Sequence, residues 1–299
     1  MELLKRVLTA IVLIPIVVIL VLRAPLTVLV FVAAVVALLA IRELLKLSEG
    51  YGIKPIHAPT YVYVAVFFVL IAIAPAATPL LSTSGYTFFA LAAATLAPFI
   101  FLAIAMRRDE LSSPFPAAAV SAFAFAYIAI PMACLAQLRE QWQGSFFLLY
   151  LLLVVWAGDI FAYFVGKSLG THRMSPRVSP NKTWEGAIAS VIASVAVGML
   201  MFHYSVAIST GLLHAHLIGR SDGVFTEPRS LAPIVILSVV LNIAAQFGDL
   251  VESLIKRGAG AKDSGAILPG HGGMFDRIDA LLFAAPVLWI YLAWRVLVQ

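Results

Sequence analysis

The chain has 299 residues, of which 62% are hydrophobic and only 12% charged, with a net charge of +5. Soluble domains carry about 25% charged residues, so water is excluded as the main solvent, and the length suits one membrane domain with short loops. A single cysteine, Cys134, excludes an intramolecular disulfide and a cysteine-based metal cluster.

Nine apolar runs follow in chain order: Val7–Leu22, Leu26–Ile41, Thr60–Ala77, Tyr86–Met106, Phe115–Leu138, Ser145–Val165, Trp184–Phe202, Leu231–Phe247 and Ile278–Val298. Each approaches the roughly 20 residues that a helix needs to cross hydrocarbon. They predict an all-α fold, a polytopic transmembrane helical bundle of about nine spans. The first run follows Lys5 and Arg6 but lacks a small-residue cleavage site, and Arg23 and Pro25 lead straight into the second. It therefore reads as a retained span rather than a secretory leader. With the N-terminus cytoplasmic, fifteen of the 20 Lys and Arg residues lie on the inner side. Only Arg23, Arg139, Arg220, Arg229 and Arg295 lie outside, as the positive-inside rule requires. This asymmetry and an attraction to anionic lipid headgroups account for the net charge. No nucleic-acid motif is present, so no nucleic acid is expected as a partner.

Polar residues first gather at the end of the sixth run, where Trp156, Asp159, Ala162, Tyr163 and Gly166 share a helical face. Asp159 sits about 10 Å from the inner end of that helix. A carboxylate there costs on the order of 3 kcal/mol unless it faces a polar cavity, a cation or a hydrogen-bonding neighbour. Gly166-Lys167-Ser168 ends like a phosphate-binding loop, but Phe161 stands where the first glycine must be. In the inner loop Ser175–Gly186, Pro176 and Pro180 oppose helix, Thr183 is placed to cap the seventh span, and Glu185 suits that span's positive end. Capping leaves Arg177, Asn181 and Lys182 unexplained, and a phosphate at the membrane surface is their natural partner. Along the seventh span Gly186, Ser190, Ser194 and Gly198 form a small-residue stripe for close helix approach. Its neighbour is either another helix of the chain or a second subunit of a homodimer. In the outer loop His203–Arg229, His214 and His216 have no third partner with ligand spacing, which argues against a metal site.

The richest stretch runs from Gln246 to Asp279. Gln246, Asp249, Glu252, Ser253 and Lys256 share one side of a helix continuing out of the eighth span. Small residues from Gly258 to Gly265, and again at Gly270, Gly272 and Gly273, leave backbone N–H groups free to approach phosphate oxygens. Lys256, Arg257, Lys262 and Arg277 supply positive charge beside carboxylates, a mixture suited to a divalent metal and a polyphosphate.

In this stretch Ser253, Lys256, Arg257, Lys262, Asp263, Gly265, Leu268, Pro269, His271, Gly272, Gly273, Asp276, Arg277 and Asp279 fall in the register of a known signature. The chain thereby resembles the phosphatidate cytidylyltransferase family, also called CDP-diglyceride synthases. The resemblance extends to Asp159 and Tyr163, to Ser179–Gly186 and to Arg6–Pro15, and leaves the His203–Arg229 loop unplaced. It implies one membrane-embedded catalytic domain over residues 1–299, in a cell membrane expected to be a bacterial cytoplasmic membrane, with its site on the cytoplasmic side. The implied reaction joins CTP to phosphatidic acid, giving CDP-diacylglycerol and pyrophosphate. On that reading Mg2+ is held by Asp249 and Asp276, with Asp159 and Asp279 as further ligand candidates. Lys256, Arg257, Lys262 and Arg277 hold the triphosphate. Lys182 and Asn181 receive the phosphatidate headgroup, and Ser253, Asp263, Gly272 and Gly273 line the substrates. His271 either protonates departing pyrophosphate or serves the turn. An ion-coupled transporter and a CTP-dependent lipid kinase are the competing readings.

Overall fold

The computed structural model describes residues 2–77, 82–228, 230–267 and 272–298, with side chains over 13–73, 85–228, 230–267 and 272–295. In chain order the helices are α1 (Glu2–Arg23), α2 (Leu26–Glu49), α3 (His57–Ala77), α4 (Ser82–Ala105), α5 (Pro114–Ala124), a π-helical segment (Phe125–Ala129) and α6 (Ile130–Leu138). They continue with α7 (Gly144–Leu169), α8 (Trp184–His203), α9 (Ser205–His214), α10 (Ala232–Gly258) and α11 (Phe275–Val298). Each of the nine apolar runs is helical to within a residue. Hydrocarbon offers no partner for a backbone polar group, so a chain of this composition closes its hydrogen bonds within helices. Among the described residues, seven stretches are long and apolar enough to span a membrane, and Leu13–Arg23 and His57–Ile73 are shorter apolar stretches. The protein is an all-α polytopic membrane protein.

The chain forms two compact units, interleaved in sequence: Met1–Arg6, Pro25–Gln137 and Ile255–Ile278 in one, and Val7–Ala24, Leu138–Leu254 and Asp279–Gln299 in the other. In the first, buried Phe125 meets Tyr63 and Phe67 edge-on at 5.0 Å, and Tyr63 meets Phe101 at 5.2 Å. Phe125 opens the π segment, and Pro131, which has no N–H for the carbonyl four residues back, follows it closely.

In the second unit the small-residue stripe of α8 lies against helices of the same chain. Asn242 of α10 donates its amide to Ser190 Oγ and Ser194 Oγ at 2.8 Å each, and Ser194 Oγ donates to the Val154 carbonyl of α7 at 2.8 Å. Gly158 of α7 makes room for this meeting, since a Cβ there would strike the Asn242 amide. The Ser175–Gly186 segment contributes to a two-stranded antiparallel ribbon, β1 (Arg173–Ser175) and β2 (Ser179–Thr183). Thr183 Oγ1 then accepts the Gly186 N–H at 3.2 Å and caps α8. The predicted outer loop His203–Arg229 instead contains α9. Ser209 on it accepts the Val224 N–H at 2.8 Å, while Arg139 and Asp222 pair at 2.5 Å. Too few residues lie in α9 for its period to stand out from the apolar span before it.

Candidate active site

The polar end of α7, the ribbon and α10 enclose a cavity of about 600 Å³. Asp159, Tyr163 and Lys167 reach its wall from α7, Arg173, Asn181 and Lys182 from the ribbon, and Gln246 and Asp249 from α10. Three cations and two carboxylates around one space, in a chain with so few charges, mark it as a place for a charged ligand. Lys182 Nζ pairs with Asp249 Oδ2 at 2.6 Å, with both side chains partly exposed. A pair so wetted contributes about 1 kcal/mol or less to stability, which leaves Lys182 exchangeable toward an incoming anion. Gln246 donates to Asn242 Oδ1 at 2.6 Å and to the Ala187 carbonyl at 3.2 Å, fixing the α10 wall.

One turn beyond Asp249, Glu252 is fully buried. Asp249, Glu252 and Asp279 each offer a carboxylate oxygen, and these oxygens lie within 4.8 Å of one another. Gly248 permits the approach, because a Cβ there would strike the Asp279 carbonyl. Oxygens around magnesium are about 3 Å apart when adjacent and about 4 Å apart when opposite, given Mg–O distances near 2.1 Å. The trio therefore fits a hard divalent cation after small rotations, and its hard oxygen donors suit magnesium. Ser253 Oγ stands 3.5 Å from Asp249 Oδ1.

The glycine segment lies in the other unit. There Asp276 Oδ1 accepts from Lys256 Nζ at 2.6 Å. Its Oδ2 accepts from Gly273 N at 2.7 Å, Ser264 Oγ at 2.9 Å and Ser264 N at 3.0 Å. Asp276 thus ties both Ser264 and Gly273 to the start of α11. Lys262, Asp263, Arg257 and Arg277 are exposed around it, and Arg257 donates to the Ala261 carbonyl at 3.2 Å. Of the expected ligands, the structure gathers Asp249 and Asp279, sets Asp159 on the cavity wall, and engages Asp276 with Lys256 and the loop. His271, with Leu268 and Pro269, lies outside the described residues. Sequence reasoning did not assign Glu252 to the site, although it stands at i+3 from Asp249. It counted Arg173 only as an inner-side charge, and Lys167 as one that also ends an incomplete phosphate-loop pattern, although both fall within 15 residues of Lys182.

Comparison with known proteins adds an independent observation. A family model described as the cytidylyltransferase family matches residues 4–294. The chain belongs to that family. Curated relatives named phosphatidate cytidylyltransferase include one from Staphylococcus haemolyticus, 33% identical over 89% of this chain and 90% of its own length. Another, from Staphylococcus aureus, is 32% identical over 96% and 98%. A Brucella abortus relative is 42% identical over 48% of this chain, so the match spans about half, 46%, of that relative's length. Membership places the cavity and the signature segment in a family whose chemistry is nucleotidyl transfer.

Proposed function

We propose that the protein transfers the cytidylyl group of CTP to phosphatidic acid, forming CDP-diacylglycerol and pyrophosphate for phospholipid synthesis. The observation that carries this reading is the cavity, where cations and carboxylates converge within an otherwise apolar helical membrane protein of this family. A phosphatidate oxygen attacks the α-phosphorus of CTP; the new P–O bond forms as the bond to the bridging oxygen breaks and pyrophosphate leaves. A phosphate monoester has its second pKa near roughly 6 and is largely a dianion at neutral pH, so no side chain need remove a proton. The task left to the protein is to bring two polyanions together.

Lys182, Arg173, Lys167 and Asn181 orient the phosphatidate headgroup, with Lys182 released from Asp249 as the phosphate arrives. Asp249, Glu252 and Asp279 are the residues that would hold Mg2+, whose contribution when bound is to neutralise charge developing on the phosphates. Lys256, Arg257, Lys262 and Arg277, with the backbone of Gly272 and Gly273, are assigned to the triphosphate by the signature they match. Preorganised charge of this kind lowers the barrier without moving at the moment of reaction. Incubation of the purified protein with CTP, phosphatidic acid and Mg2+ should yield CDP-lipid and pyrophosphate by mass spectrometry. Phosphorylated lipid with CDP would make it a lipid kinase, and the absence of any covalent product would favour a transporter.

The proposal includes nine spans, a cytoplasmic N-terminus and a site on the cytoplasmic face of the cell membrane, supported by the distribution of Lys and Arg. Ala266 is exposed and free of the positive φ of 72° that strains a side chain at Gly260. In a Cys134→Ala background, Ala266→Cys should resist an impermeant thiol reagent on intact cells and react once the membrane is opened. Labelling from outside would invert the topology.

A further inference from the structure

Glu43 lies in α2, in the stretch Ala40–Leu47 where Leu44, Leu45 and Leu47 are buried, and is itself only 4% exposed. A carboxylate there persists only if donors surround it, and among the described residues its donors come from the signature segment more than 200 residues away. Glu43 Oε1 accepts the Met274 N–H at 3.0 Å. Its Oε2 accepts the Phe275 N–H at 2.8 Å and lies 2.9 Å from Ser264 Oγ, whose single proton it shares with Asp276 Oδ2. Met274 immediately precedes α11 and Phe275 opens it, so their N–H groups lie at the helix end that has no intrahelical acceptors, and Glu43 supplies those acceptors from another helix.

The fit around this carboxylate is close on every side. A Cβ at Gly265 or Gly273 would collide with it, so the two glycines provide its berth. Below it, Tyr51 donates its hydroxyl to the Ile255 carbonyl at 2.8 Å, and a Cβ on Gly258 would strike the same ring. The end of α2 and the residues after it therefore grip both ends of the segment that carries Lys256, Arg257, Lys262 and Asp263. Asp276 closes that segment from within, whereas Glu43 ties it to a helix outside.

We infer that Glu43 is a positioning residue for the nucleotide-binding segment, fixing Ser264 on one side and Met274 and Phe275 on the other so that the neighbouring backbone N–H groups and cations meet the triphosphate in one geometry. The inference rests on the proposed cytidylyl transfer for its substrate, but its structural content can be tested without turnover. Glu43→Gln retains size yet turns an NH2 group toward N–H donors. In the full-length protein, kcat/KM for CTP should fall about 100-fold, the scale on which misplacing a reacting group by about 1 Å acts, with the loss mainly in KM for CTP and little change in KM for phosphatidic acid. Tryptic cleavage after Lys262 should quicken about tenfold as the segment opens locally, while cleavage after Arg220 stays unchanged. Glu43→Asp, which keeps the charge but withdraws it by one methylene, should fall between.

Wild-type kinetics and cleavage in Glu43→Gln would overturn the inference, as would equal acceleration at Lys262 and Arg220, which signifies general unfolding. Should Glu43→Gln fail to insert, Glu43→Asp decides: selective cleavage at Lys262 supports the inference, and wild-type cleavage overturns it. If the wild-type protein forms no CDP-lipid, the proposed function fails, and the cleavage comparison still settles the role of Glu43.

Discussion

Asp276→Asn should abolish turnover while leaving a folded, membrane-inserted protein. The carboxylate faces Lys256 with one oxygen and three loop donors with the other. Asn has one oxygen for both duties, so its NH2 must confront either the ammonium or the N–H groups. Breaking one side of a buried ion pair costs about 3–5 kcal/mol. With that cost borne in the transition state, turnover falls by about 150- to 5,000-fold. The spans themselves are held by apolar packing and internal helix bonds and should persist in the variant. Glu140→Gln, at an exposed position beyond the end of α6, is the matched control and should turn over normally. Equal activity in the two variants would remove Asp276 from the site and leave it centred on Asp249 and Asp279.

Exhaustive chelation of divalent cations should stop turnover, and added magnesium should restore it. Three carboxylate oxygens within 4.8 Å repel one another, and Lys182 neutralises only Asp249 directly. Asp249→Asn should then raise the magnesium concentration giving half-maximal rate about 10- to 100-fold, the range seen when groups supporting a metal site are altered. The two substitutions separate by this measurement. A ligand substitution shifts the magnesium requirement, whereas a change confined to the loop lowers the maximal rate at every magnesium concentration. Activity surviving chelation would exclude the metal assignment altogether.

The helices were legible from hydropathy because lipid leaves an apolar chain little alternative to helix. The continuation of α10 to Gly258 was legible from its mixed-charge face. The ribbon was legible only in part: Pro176 and Pro180 ruled out helix, but three- and five-residue strands carry too little alternation to reveal their pairing. At the site, residues close in sequence were the readable ones, and Glu252 could have been added from its spacing to Asp249. Glu43 was not readable in that way, because its partners are 221 to 232 residues distant. Glu43 lies just beyond the apolar run Leu26–Ile41 among Leu44, Leu45 and Leu47, and a carboxylate so placed was nevertheless a weak signal of a partner supplied by the fold. Arg173 read as a topology marker and Lys167 as part of an incomplete phosphate loop, because a cavity wall assembled from a helix end and a ribbon has no linear motif.

The chain of amides and hydroxyls joining α7, α8 and α10 also bears on where the protein can move. From Gln246 through Asn242 to Ser190 and Ser194, and on to the Val154 carbonyl, each group depends on the next. Turning α8 by a single residue, about 100°, would leave the Asn242 amide in hydrocarbon at a cost of several kcal/mol. These three helices are therefore locked in register. Beside them the ribbon carries Arg173 and Asn181 at exposed positions, and among the described residues Lys182 is held by a partly exposed ion pair with Asp249, so the cations of the cavity wall are more readily rearranged than its helical frame.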